Sequence, residues 1–166
     1  MTCRSVAALV AAFLVVALQV LAPAAFGQQA GTPRAFELDS EKLVVQTAVG
    51  PVNFDLEIAD TPDERADGLM FRTDFPPDRA LIFVFERERP VTFWMKNTPK
   101  PLDMLFVDTG GTIVTIRENS VPFSPDMIGS DAPVRFVVEV NAGIVAQYRI
   151  AVGDRIDHRV VREVAQ

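Results

Sequence analysis

The chain has 166 residues, enough for one ordinary domain and too few for two. Its 16 Lys and Arg residues against 22 Asp and Glu residues give a net charge of −6, which argues against nucleic acid or an anionic membrane surface as the main partner, because either requires a cationic patch. With one cysteine (Cys3) and one histidine (His158), internal disulfides, cysteine–histidine zinc sites and sites built on several histidines are excluded.

Residues 1–27 are predicted to be a cleaved export signal. Arg4 supplies a positive start, and the run from Val6 to Leu21 is almost entirely apolar but shorter than the roughly 20 residues that span a bilayer. Ala25 and Gly27 fit the small-x-small pattern that precedes a cleavage point, which places the cut after Gly27. We therefore expect a soluble periplasmic or extracellular protein without a stable membrane anchor once the signal is removed.

Residues 28–35 are predicted to form a flexible leader, and residues 36–166 a single β domain. Strands are predicted where the residues are continuously apolar or alternate between apolar and polar. The predicted strands are Leu43 to Thr47, Val52 to Ile58, Leu81 to Phe85, Val91 to Met95, Leu102 to Val107, Thr112 to Ile116, Val134 to Val140 and about Arg155 to Val164. Short strands with frequent turn residues predict an antiparallel β-sandwich or barrel.

One or two short helices complete this prediction. Thr61 and Glu64 match a capping box, and Pro62 stands at the first helical position, which predicts a helix over Pro62 to Met70 that Gly68 weakens or ends near Leu69 and Met70. A second short helix is predicted for Ala142 to Tyr148.

Five motifs follow one another along the predicted domain: Gly68-Leu69-Met70-Phe71-Arg72, Phe93-Trp94-Met95-Lys96-Asn97-Thr98, Pro101-Leu102-Asp103-Met104, Glu139-x-Asn141-Ala142-Gly143 and Gly153-Asp154. Together they resemble the bacterial and archaeal family known as domain of unknown function 192, over roughly Leu43 to Ile156. The resemblance implies a mainly β, jelly-roll-like sandwich that is often exported, and it brings no established activity, cofactor or catalytic residue. Ala80-Leu81-Ile82 and Lys100 depart from the family pattern, and Lys100 puts in doubt an apolar rim for its loop.

The first candidate site lies where a predicted strand meets a proline-bordered loop. Trp94, Lys96 and Asn97 leave the strand, and Asp103 opens the next one. An aromatic side chain beside convergent polar groups is typical of small-ligand sites. Because Asp103 interrupts an apolar run, we expect it to be partly buried beside Lys96, Arg72 or a backbone N–H. A buried ion pair that only holds the hairpin together would produce the same pattern.

Three further residues are candidates for ligand binding. Arg72 follows the predicted helix, where it would bind a carboxylate or phosphate, or else the last carbonyls of the helix. Asn141 either contributes to a site or caps the second helix. Glu139 is an acidic residue in an apolar strand. Paired with Asp103, it would supply the two carboxylates of a glycoside hydrolase.

No metal or cofactor is predicted. Asp126, Ser130 and Asp131 lack the spacing of a dedicated calcium loop, and no Gly-x-Ser-x-Gly motif supports a serine triad through His158. We therefore expect an exported, non-catalytic binding or accessory protein for a small molecule, glycan or peptide. The alternative is a carboxylate-dependent hydrolase that acts on a glycan or similar polymer.

Overall fold

The computed structural model describes residues 31–164, so the predicted export signal and the first residues of the predicted leader lie outside the described residues. The elements in chain order are β1 (Leu43–Thr47), β2 (Gly50–Ala59), α1 (Pro62–Asp67), β3 (Arg79–Arg89), β4 (Thr92–Phe93), β5 (Leu102–Val107), β6 (Ile113–Ser120), β7 (Ile128–Gly129), β8 (Val134–Asn141), α2 (Ile144–Tyr148), β9 (Arg155–Asp157) and α3 (Arg159–Val164). Among the described residues, no helix has the length and apolar character needed to cross a membrane.

Seven strands form one curled sheet, a half-barrel, in the order β6-β5-β8-β3-β2-β1-β9, and β4 pairs with β7 in a separate ribbon. The predicted mainly β class with short helices is confirmed. All neighbouring strands of the large sheet are antiparallel except β2 and β3, which are parallel. The connection through α1 explains this pair, because parallel strands need a crossover connection rather than a tight turn.

The two edge strands of the curled sheet meet at one end. The Ile113 N–H donates to the Asp154 carbonyl at 2.9 Å, the Gly153 N–H to the Ile113 carbonyl at 2.9 Å, and the Ile156 N–H to the Gly111 carbonyl at 2.8 Å. We call these contacts the seam. Since they satisfy backbone groups that an open edge would expose, the seam closes this end of the sheet.

Apolar side chains are buried on both faces of the sheet. The first face packs against α2 and α3 through Ile144 and Val161. The second face is covered by chain that follows α1, including Leu69 and Phe75, and by Met95 near β4. Strand β5 lies between the two layers and is buried along its whole length. A sheet covered on both faces hides any polar side chain that its central strands carry.

The predicted final strand is wrong in its second half. The chain pairs as β9 only over Arg155–Asp157 and then forms helix α3. Val161 is buried, and Val164 three residues later packs against the same core. This spacing places both side chains on one face of a helix. Packing against the first face therefore favours a helix for a segment whose β-branched residues suggested a strand.

Candidate functional site

Two acidic residues lie in one row across the second face. The row runs from Glu57 on β2 through Leu81 on β3 and Glu139 on β8 to Met104 on β5. Paired residues in neighbouring strands point to the same side of a sheet, and strands lie about 4.8 Å apart. Glu57 and Glu139 are therefore two strands apart, roughly 10 Å between their backbones.

Glu57 is fully paired. Its side chain is 1% exposed and accepts hydrogen bonds from both terminal nitrogens of Arg72, with Nη2 3.2 Å from Oε1, and from Arg79 Nη1 at 3.3 Å. The Arg72 guanidinium also lies 5.4 Å from the centre of the Phe75 ring. Arg72 thus binds a carboxylate through two nitrogens, as predicted for one of its roles, but that carboxylate belongs to Glu57. The pair holds the segment after α1 against the sheet.

Glu139 has no such partner within residues 31–164. Its side chain is 4% exposed, and its buried Oε2 has no hydrogen-bond partner among the described residues. Because burial removes the carboxylate from water, it raises the pKa of Glu139 from 4.5 to about 8. The carboxyl is consequently mostly protonated at neutral pH, in which state it both donates and accepts a hydrogen bond.

Glu139 lines a cleft of about 220 Å³ between α1 and β4. One wall is formed by residues 65–70, at the end of α1 and just beyond it, and the other by residues 92–94. Phe83 and Phe85 on β3 also line the cleft. We call this space the α1–β4 cleft. It combines apolar and aromatic walls with a single unpaired carboxyl, as small-ligand sites commonly do.

The aromatic wall is packed edge to face. The Phe93 ring lies 4.9 Å from Phe83 and 6.4 Å from Phe85 between ring centres, in both cases nearly perpendicular. Trp94 remains 47% exposed at the cleft, and Lys96 Nζ lies 5.2 Å from the centre of its ring. Trp94 and Lys96 thus lie together at the end of the cleft wall, whereas Asp103 is not part of this group.

Asp103 lies on the opposite face of the sheet from Glu139. It pairs in register with Val140, the neighbour of Glu139 on β8. Its carboxylate accepts hydrogen bonds from the backbone N–H groups of Asn119, at 2.9 Å, and Val145, at 3.0 Å. Of the partners predicted for Asp103, the backbone N–H is correct, and Lys96 and Arg72 are wrong. Since Asp103 and Glu139 face different layers, they cannot act on one bond as a hydrolytic pair.

The two candidate asparagines hold loops in place. Asn141 Nδ2 donates to the carbonyls of Phe75, at 3.1 Å, and Pro76, at 2.8 Å. The N-cap of α2 is Gly143, so the predicted capping role of Asn141 is wrong. Asn97 adopts a left-handed backbone with φ of 62°, and its carbonyl accepts from the Phe71 N–H at 2.7 Å. Asn97 thereby ties the chain beyond β4 to the chain beyond α1, on either side of the cleft.

Glu139 and Trp94 were predicted from the sequence as site residues, whereas residues 65–70 and the phenylalanines of β3, which also line the cleft, were not. An acidic residue inside an apolar strand was the signal for Glu139. Phe83 and Phe85 carry no comparable signal, because aromatic residues in a strand are ordinarily core. Gly68 was predicted only as a helix terminus, although it also lines the cleft.

Comparisons with known proteins agree with the motifs. The family model for domain of unknown function 192, described as "Uncharacterized ACR", matches residues 44–158. A Sinorhizobium meliloti protein provisionally described as a transcription regulator has a similar structure, with a TM-score of 0.71, 42% identity, and coverage of 76% of this chain and 97% of that chain. A Novosphingobium aromaticivorans protein of unknown function gives a TM-score of 0.69 and 34% identity, with coverage of 70% and 84%. A search of curated proteins found no match. The chain therefore belongs to the family known as domain of unknown function 192.

Proposed function

We propose that the protein is a non-catalytic binding or accessory module and that the α1–β4 cleft holds a small, largely apolar molecule. The unpartnered carboxyl of Glu139 carries this proposal. An unsatisfied buried polar group costs about 1–3 kcal/mol, so a ligand that hydrogen-bonds to it recovers free energy that the empty fold lacks. The cleft volume of about 220 Å³ is below the roughly 300–1,000 Å³ of drug-sized pockets. The ligand is accordingly small.

Trp94 offers a direct test, because it is the only tryptophan of the chain and it lines the cleft. We expect benzyl alcohol, an aromatic body with one hydroxyl, to change Trp94 fluorescence saturably. Glu139→Met should weaken this binding about tenfold, since the loss of one buried hydrogen bond costs about 1.4 kcal/mol. Glu118→Met changes an exposed glutamate of β6 and should leave the affinity unchanged. Equal affinity in Glu139→Met and the wild type would contradict the proposal.

A carboxylate-dependent hydrolase remains the second candidate, and the raised pKa of Glu139 favours it. A carboxyl whose burial raises the pKa to about 8 is protonated at neutral pH, as a general acid must be. The other carboxylate lining the cleft is Asp67, which lies 2.6 Å from Arg34 Nε. Release of a fluorogenic alcohol from a panel of aryl glycosides, lost in Glu139→Gln, would support this reaction. A rate that the variant retains would contradict it.

We further propose that the protein is exported to the periplasm, or beyond it. The apolar run from Val6 to Leu21 after Arg4 and the small residues at Ala25 and Gly27 support this. Mass spectrometry of the protein recovered from the periplasmic fraction should find an N-terminus at Gln28. Recovery of the chain with Met1 from the cytoplasmic fraction alone would contradict export.

Transcription regulation, the provisional description of the Sinorhizobium relative, gains little support from the charge of this chain. Contact with DNA phosphates depends on Lys and Arg, and this chain has a net charge of −6. We propose that the protein does not bind nucleic acid. A gel-shift titration with mixed-sequence duplex DNA at low salt should show no complex, and a complex would contradict this.

A further inference from the structure

We infer that the ligand of the α1–β4 cleft is a small organic cation, an ammonium group on an apolar body, and that Glu139 is its counter-charge. This inference rests on the proposed binding role and narrows it to one chemical class.

Two of the aromatic rings that line the cleft already have cationic side chains of the protein against them. The Arg65 guanidinium lies 5.7 Å and that of Arg89 5.1 Å from the centre of the Phe85 ring. Lys96 Nζ lies 5.2 Å from the centre of the Trp94 ring. The faces of aromatic rings bind cations by about 0.5–1 kcal/mol at exposed sites and more when water is excluded. Among the rings that line the cleft, only Phe83 and Phe93 have no cationic side chain of the described residues against them, so these two rings are the aromatic surface that an ammonium could contact.

The other charged side chains that line the cleft are already paired. Arg65 donates to the Val84 carbonyl at 2.9 Å and to Glu86 at 3.0 Å, and Asp67 is bound by Arg34. In the same row of the sheet, Glu57 is occupied by two arginines. Of the charged groups that line the cleft, Glu139 is the one without a counter-charge among the described residues. An incoming cation would supply it.

A carboxyl at this position has an ability that a carboxamide lacks. To bind a neutral hydroxyl or amide, a glutamine would serve as well, because it also donates and accepts hydrogen bonds. Only the carboxyl can become charged. In the empty cleft burial keeps Glu139 protonated, and an ammonium beside it favours the ionised form. The O–H bond of Glu139 then breaks, its proton passes to the solvent, and the cleft contains a neutral ion pair.

The experiment compares three probes of similar shape: benzyltrimethylammonium, benzyl alcohol and benzoate. Benzyltrimethylammonium has a fixed charge and no titratable proton, so any proton released on binding comes from the protein. We expect Trp94 fluorescence to report binding of the cation at least tenfold tighter than that of benzyl alcohol above pH 8. Below that pH its affinity should fall about tenfold per unit. Calorimetry at neutral pH in two buffers of different ionisation heat should show nearly one proton released per cation bound.

The variant Glu139→Gln tests the proposed class of ligand independently of the existence of the binding site. This variant should bind benzyl alcohol as the wild type does, while it loses both the proton release and the pH dependence of cation binding. Glu118→Gln, the same change at an exposed strand position, should behave like the wild type. Tighter binding of benzyl alcohol or benzoate than of the cation, or unchanged cation binding in Glu139→Gln, would overturn the inference and leave the cleft as a binding site. The absence of a saturable response to all three probes would overturn the proposed function as well.

Discussion

The three carboxyl groups buried in this sheet have different roles because they have different nearest neighbours. Glu57 meets two guanidinium groups, Asp103 meets two backbone N–H groups, and the buried Oε2 of Glu139 meets no hydrogen-bonding group of the described residues. A buried carboxylate is stable only with charged or hydrogen-bonding partners. Glu57 and Asp103 accordingly hold the fold together, whereas Glu139 is left with neither kind of partner among the described residues.

The first prediction concerns the pH dependence of stability. The pKa of Glu139 is about 8 in the folded protein, against an ordinary value of 4.5. Between these values the folded state keeps a proton that the unfolded chain loses, so the free energy of unfolding falls as pH rises through this window, by a few kcal/mol in total. Urea denaturation at intervals across this pH window should show that the free energy of unfolding of Glu139→Gln rises relative to that of the wild type as pH rises. A constant difference would contradict the buried, unpaired state of Glu139, and Glu118→Gln is the control.

The second prediction assigns Asp103 to the fold. Asp103→Asn keeps one acceptor oxygen and places an amide nitrogen against a backbone N–H, either that of Asn119 or that of Val145. Since hydrogen bonds to charged groups contribute about 1.5–3 kcal/mol, we expect the free energy of unfolding to fall by about 2 kcal/mol. Binding of benzyl alcohol should persist. Unchanged stability together with lost binding would instead place Asp103 in a ligand site.

At the scale of elements, the short helix α1 determines the shape of the cleft. Thr61 and Glu64 form the predicted capping box, which fixes where the helix begins. Gly68 ends the helix with φ of 46° and ψ of −130°, a backbone conformation that residues other than glycine rarely adopt. The chain beyond Gly68 then crosses the second face, where Arg72 secures it to Glu57. The α1 wall therefore depends on a cap, a glycine and an ion pair.

The third prediction tests this wall with Gly68→Ala. A Cβ at this position would lie 3.1 and 3.2 Å from atoms of the Phe83 ring, in addition to the strain of a positive φ. Gly153→Ala introduces backbone strain alone, because nothing lies within 4 Å of its Cβ position. Strain of this kind costs about 1–3 kcal/mol, so both variants should lose stability in thermal melts. Only Gly68→Ala should change the affinity for benzyl alcohol, and an equal effect of both would contradict the role of this contact.

At the scale of the whole molecule, the sheet is held in its curled form by the seam between its edge strands. Gly111 lies at this point with φ of 83°, and its carbonyl accepts from the Ile156 N–H. Gly111 also faces Val161 of α3. The seam therefore joins the edge strands to the helix that covers the first face.

The fourth prediction is that Gly111→Ala opens the seam. Its Cβ would lie 2.9 Å from the Ile156 carbonyl oxygen and 3.1 Å from Val161 Cγ1, so backbone must move. We expect a loss of about 2–4 kcal/mol in the free energy of unfolding, since a buried contact and a strained backbone are both affected. Amide hydrogen exchange should quicken most at Ile113 and Ile156. Gly50→Ala, with a positive φ and open space, is the control, and equal exchange in the two variants would contradict the prediction.

Some of these features were predictable from the sequence because their causes are local. Alternation of apolar and polar residues with period two identifies strands within a few residues, and the capping box of α1 needs only Thr61 and Glu64. The five family motifs are also read directly along the chain. These signals do not require any knowledge of which segments meet.

The partners of the buried charges were decided by the tertiary structure. Strand β8 pairs with β3 and β5, which precede it by dozens of residues, and this order places Glu139 on the second face and Asp103 on the first. Arg72, on the chain beyond α1, is bound by Glu57 on β2 and not by Glu139 on β8. The charge of a carboxyl depends on groups within a few ångströms. Sequence by itself therefore identified the fold class and the acidic residues, and only the folded sheet determined which buried carboxyl has no partner in the part of the chain that the structure describes.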